Sequence, residues 1–87
     1  MNIVFSNTFL KQYRKSPKSI QEVVSDRIDL FRVNRLDPCL HNHKLHGKYR
    51  GHRSINITGD WRAIFHIVAQ DETVEFVLLG THSELYG

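Results

Sequence analysis

The sequence predicts an α+β domain: a short N-terminal strand, a two-helix hairpin, and then an antiparallel sheet of three to four strands. Three observations carry that prediction. Apolar residues between positions 9 and 31 recur every three or four residues, the period of a helix face, whereas from position 53 onward they alternate or run together in short stretches. Asp37-Pro38 divides the two regimes, because proline pushes its predecessor out of helical backbone. The chain is 87 residues long, which leaves room for one core and so predicts a single domain over residues 1–87.

Each element has its own signal. Ile3, Val4 and Phe5 form an apolar run too short for a helix and bounded by Ser6 and Asn7, which predicts an opening strand. Ser6 or Asn7 then serves as N-cap of a first helix, with Phe9, Leu10 and Tyr13 on its inner face, ending at Ser16-Pro17. Pro17 suits the first turn of a second helix, capped by Ser16 or by Ser19 with Glu22. Ile20, Val23, Val24, Ile28 and Phe31 make its apolar stripe, and it stops near Asn34. Arg53 to Thr58 alternates, with Ile55 and Ile57 on one face and Ser54, Asn56 and Thr58 on the other. Thr58-Gly59-Asp60 reads as a tight turn, Trp61 to Ala69 as a central strand, Asp71-Glu72 as a second turn and Val74 to Leu79 as the last strand.

Composition narrows the function classes. Hydrophobic residues at 40% and charged residues at 24% are ordinary for a globular protein. The single Cys39 excludes an intramolecular disulfide, so stability comes from packing, which fits a reducing cytoplasm. No apolar run approaches the length of a membrane span, and the N-terminal residues lack a signal-peptide pattern, which predicts a soluble, cytoplasmic protein. Charge is unevenly placed: residues 39–62 carry five Lys/Arg, one acid and four of the six histidines, whereas residues 63–87 carry four acids and no Lys or Arg. The mid-chain block predicts a phosphate-facing surface.

That block holds most of the chemistry. The run from His43 to Arg53 interleaves cations, imidazoles, one tyrosine and two glycines, which suits contact with a phosphate backbone and stacked bases. Gly47 and Gly51 permit either sharp turns or close backbone approach to a ligand. Cys39, His41, His43 and His46 are all zinc-binding types, but no second pair of ligands accompanies them, so no metal site is predicted. Asp60 lies in the hairpin beside Trp61, and His82 follows the last strand, where the chain delivers side chains to the rim of the sheet.

Together, His43-Lys44-Leu45-His46-Gly47, Gly51-His52-Arg53, Gly59-Asp60-Trp61-Arg62-Ala63-Ile64-Phe65 and Gly80-Thr81-His82-Ser83-Glu84-Leu85-Tyr86-Gly87 resemble the YafQ branch of the RelE toxins. These are the toxins of bacterial type II toxin–antitoxin modules. The resemblance covers nearly the whole chain and implies the RelE-like fold. It implies a ribosome-dependent endoribonuclease that cleaves messenger RNA and is neutralised by a cognate antitoxin in a hetero-oligomeric complex. Carried over by position, it makes His43, Asp60 and His82 catalytic and places the aromatic residues Trp61 and Tyr86 beside them. The family pattern commonly has a further histidine where this chain has Asn56, whose amide still hydrogen-bonds phosphate or ribose. His52, four residues away, is the nearest imidazole that stands in for it if the strand is free of a bulge.

RNA is cut without metal or small-molecule cofactor when its own 2′-hydroxyl attacks the adjacent phosphorus. One group must remove that proton and another must protonate the departing 5′-oxygen. His43 or Asp60 is expected as base and His82 as acid, with Arg53 and Arg62 stabilising charge on the phosphorane oxygens. Lys44, Lys48 and Arg50 are expected to supply salt-sensitive backbone contacts. Two other readings share this fold: a ParE-like toxin that inhibits DNA gyrase without a nuclease site, and a catalytically silent RNA-binding module.

Overall fold

The protein is described by a computed structural model covering residues 1–68 and 72–87. In chain order the elements are β1 (Asn2–Phe5), α1 (Asn7–Lys15), α2 (Lys18–Val33), β2 (His43–Lys44), β3 (Arg53–Asn56), β4 (Trp61–Val68), β5 (Thr73–Thr81) and α3 (His82–Tyr86). Short 3-10 turns occupy Pro38–Leu40 and Gly47–Tyr49. The last residue of the predicted central strand, Ala69, and the first of the predicted turn, Asp71, lie outside the described residues.

Local chemistry explains the helical hairpin. The Ser6 hydroxyl accepts the Phe9 N–H at 3.0 Å and donates to the Val77 carbonyl at 2.9 Å, so one side chain caps α1 and ties it to β5. Ser16 and Pro17 act differently from the sequence expectation. Ser16 closes α1, its hydroxyl donating to the Gln12 carbonyl at 2.8 Å, and Pro17 occupies the N-cap position of α2 with no side-chain cap. Pro17 holds Ser16 extended, which turns the hydroxyl back toward α1. Ser19 lies inside α2 and forms no capping box. Gln21 of α2 donates to the Tyr13 and Ser16 carbonyls at 2.9 and 3.2 Å, satisfying acceptors that the end of α1 leaves without intrahelical partners.

The sheet has five strands in the order β1-β5-β4-β3-β2. β2 to β5 form the predicted antiparallel run, while β1 adds to the far side of β5 in parallel, with Ile3 opposite Val74 and Phe5 opposite Phe76. One face carries Ile55, Ala63, Phe65, Val74, Phe76 and Leu79 against Phe9, Val24, Ile28 and Phe31 of the helices. A register shift between Ile64 and Phe65 sets Ile64 opposite Leu78 but Phe65 opposite Phe76. β5 therefore holds one extra residue, a bulge that keeps both Phe76 and Leu79 on the core side.

Phe76 is fully buried, with ring centroids 5.2 Å from Phe65, 5.4 Å from Phe31 and 5.9 Å from both Phe5 and Phe9. Phe76→Ala should therefore cost about 3–5 kcal/mol of unfolding free energy, readable as a lower urea midpoint.

β5 runs directly into α3, a short helix that the apolar pattern does not predict. Thr81 accepts the Glu84 N–H at 3.2 Å while Glu84 Oε1 accepts the Thr81 N–H at 2.8 Å, a reciprocal capping box. Gly80 makes room for it, since a Cβ there would meet Glu84 Oε1 at 3.2 Å and Leu85 at 3.4 Å. Among the described residues, no helix is long and apolar enough to cross a membrane.

Candidate functional site

The sheet face turned away from α1 and α2 is assembled by register. His43, Ser54, Ile64 and Leu78 stand in one cross-strand row, and Asn56, Arg62 and Gly80 stand in the next. At the end of these rows the chain enters α3, where the His82 N–H donates to the Asp60 carbonyl at 2.9 Å. A groove of about 400 Å³ results, lined by His41, His43, Lys44, Leu45, His46, Arg62, His82 and Tyr86.

Each functional side chain is held by its neighbours. His43 Nδ1 lies 2.8 Å from the His41 carbonyl oxygen. A carbonyl only accepts, so in a neutral ring this contact puts the proton on Nδ1 and leaves the lone pair on Nε2. The Arg62 guanidinium donates through Nη1 to the Thr58 and Gly59 carbonyls, both at 2.9 Å, which ties the cation to the hairpin it follows. The His82 ring packs 4.8 Å from Tyr86, and Tyr86 meets Tyr49 edge-on at 5.6 Å. The Tyr49 hydroxyl donates to the Leu85 carbonyl at 2.6 Å, so the Gly47–Tyr49 turn clamps α3 against the sheet. Nothing in the sequence around Tyr49 singled it out for that role.

The other candidates are distributed more widely. Asp60 is exposed and absent from the groove lining. Its backbone carbonyl anchors His82, while its carboxylate makes no hydrogen bond or ion pair among the described residues. Asn56 lies on the groove face, in the row of Arg62, and its Oδ1 is buried without a partner among the described residues, as is Ser54 Oγ in the row of His43. Arg53 and Trp61 fall on the opposite pleat. Arg53 pairs with Phe65 and donates through Nε to Asn42 Oδ1 at 2.7 Å, and Trp61 packs against the core beside Gln12 and Leu79.

Lys44 joins the groove to a second cleft of about 400 Å³, lined also by Leu45, His46, Arg50, Gly51, His52 and Arg53. Lys48 lies with its Nζ 5.1 Å from the centre of the Tyr49 ring, a cation–π contact. Gly47 and Gly51, with φ of 66° and 86° and open space around their Cα atoms, bracket this turn because the backbone is left-handed there. His52 sits apart from the groove, stacked on His66 at 4.9 Å, and His66 pairs with Glu75 at 2.8 Å. Cys39 is exposed, and among the described residues no group of three His, Cys, Asp or Glu side chains is placed to hold a metal ion. His41, whose sequence context suggests only a metal ligand, and His46, part of the His43–Arg53 run, both belong to the groove wall.

The family model described as a bacterial toxin of type II toxin–antitoxin system, YafQ, matches residues 1–87. A YoeB/ParE toxin from Agrobacterium tumefaciens superposes with a TM-score of 0.77 at 18% identity, covering 94% of this chain and 99% of that one. A mutant of YafQ from E. coli superposes with a TM-score of 0.76 at 24% identity, covering 99% and 98%. In the RelB-RelE antitoxin-toxin complex from Methanococcus jannaschii the TM-score is 0.73 at 20% identity, covering 95% and 94%. No curated protein sequence matches the chain.

Proposed function

The chain belongs to the YafQ family of toxins from bacterial type II toxin–antitoxin systems, and from that premise we propose that it is an endoribonuclease that cleaves messenger RNA on the ribosome. The observation that carries this reading is the convergence of His43, Arg62 and His82, from three separate segments, on one groove. His43 Nε2 takes the proton of the attacking ribose 2′-hydroxyl, and the new bond to phosphorus displaces the 5′-oxygen, which His82 protonates. Arg62 stabilises the charge that builds on the non-bridging oxygens. His43 is favoured over Asp60 as base because it lines the groove together with His82, whereas Asp60 lies outside the lining. Asn56, expected to contact phosphate or ribose, stands in the row of Arg62 but outside the groove lining, and its Oδ1 is buried.

Lys44 and Arg50 extend the positive surface from the groove into the neighbouring cleft, a track for the phosphate backbone. Replacing either with alanine should weaken RNA binding without sequence bias and reduce the slope of log K against log salt by roughly 0.7, measured by fluorescence anisotropy. A cognate antitoxin would mask the same surface in a hetero-oligomeric complex. Its segment would fold on binding, so that proteolysis of free antitoxin releases the toxin.

Induction of the wild type and of His82→Ala in bacteria, with 5′ ends mapped on messenger RNA before growth stops, tests the reading. Arrest with new in-frame ends only in the wild type supports it. Arrest by both without new ends points to gyrase, and no arrest by either points to a silent module.

A further inference from the structure

We propose that His41 is a positioning residue whose left-handed backbone fixes the tautomer of His43, a role that rests on the reading of His43 as general base. His41 has φ 45° and ψ 51°, a conformation that L-residues with a Cβ adopt at a cost. It is imposed from both sides. Leu40 before it is fully buried, and Asn42 after it donates to the Arg35 carbonyl at 3.1 Å and accepts from Arg53 Nε at 2.7 Å. Between these two anchors the His41 carbonyl is aimed at His43 Nδ1, 2.8 Å away.

The two ring nitrogens of a neutral imidazole cannot both be bases, and the bond made by one decides the role of the other. With Nδ1–H held by the His41 carbonyl, the lone pair belongs to Nε2. Glycine would end the Pro38–Leu40 turn at lower conformational cost, and the histidine ring at this position also packs 4.8 Å from that of His43. Arg53 thereby acquires a task away from the groove: it secures Asn42, the second anchor.

Two variants and a spectroscopic readout test this on the purified full-length chain. Two-bond ¹H–¹⁵N correlation at alkaline pH should show wild-type His43 protonated at Nδ1 and bare at Nε2. His41→Val, whose β-branch opposes left-handed backbone, should shift His43 away from that tautomer. It should also slow single-turnover cleavage about tenfold or more. His41→Gly keeps the backbone accessible and should restore both the wild-type signature and most of the rate lost in the valine variant. A wild-type His43 protonated at Nε2, or an unchanged tautomer in His41→Val, overturns the proposal. Absence of cleavage by the wild type would instead sink the ribonuclease reading, while the tautomer measurement still decides the role of His41.

Discussion

Replacing His43 or His82 with alanine is expected to slow RNA cleavage by about 10²- to 10⁴-fold while leaving RNA affinity nearly unchanged. In the proposed mechanism both side chains move a proton in the step that exchanges one phosphorus–oxygen bond for another, so each would contribute in the transition state rather than in the ground state. Because base and acid serve one step, the double variant should lose little more than the worse of the two single variants. The fold should survive. His82 is exposed at the start of α3, where its backbone N–H, untouched by the substitution, makes the bond to the Asp60 carbonyl. Its truncation should alter stability by only about 0.5 kcal/mol. Single-turnover rates beside urea melts separate the two effects, and a variant that keeps its rate is not the acid or the base.

Arg62→Ala is expected to slow cleavage by about 10²- to 10³-fold, with a smaller loss of affinity. The guanidinium has two duties: Nη1 holds the Thr58 and Gly59 carbonyls, and Arg62 is part of the groove wall. Arg62→Lys separates them. A lysine keeps the charge but presents a single point donor in place of a planar fork. It should recover part of the affinity and little of the rate, because the cation is no longer tied to the hairpin. Full rescue by lysine would mean that Arg62 acts only through net charge.

The residues that wrote themselves plainly into the sequence were those governed by local rules. The stripe from Ile20 to Phe31 and the Ser6 cap depend on neighbours within a few positions, and both are realised. β1 was legible as a strand, but its parallel partner was not: nothing in Ile3-Val4-Phe5 names β5, which lies about seventy residues away in sequence, and such pairings are set by the assembled core. The β5 bulge likewise arises from fitting Phe76 and Leu79 to one core.

The site divides in the same way. His43 and His82 came from a resemblance, and no periodicity would have joined them; the sheet register and α3 bring them to one groove. Charge groups Arg53 with them and the resemblance adds Trp61, yet strand alternation sets both on the other pleat. Arg53 shares the pleat of the core residue Ile55, and Trp61 that of Ala63 and Phe65. The cap of α3 was also readable, in Thr81-His82-Ser83-Glu84, but a helix of five residues has too little apolar periodicity to declare itself. The left-handed backbone of His41 had no local signal, since histidine carries no strong preference for it over ordinary backbone.

If His43 and His82 drive attack by the RNA's own 2′-hydroxyl, the end groups of the cut RNA will carry its signature. Ribosomes programmed with a defined message and treated with the purified protein should yield upstream fragments ending in a 2′,3′-cyclic phosphate and downstream fragments beginning with a 5′-hydroxyl. A 2′-deoxy substitution at the scissile nucleotide should abolish the cut. Fragments bearing a 3′-hydroxyl and a 5′-phosphate, or cleavage that persists at the deoxy site, would contradict the account.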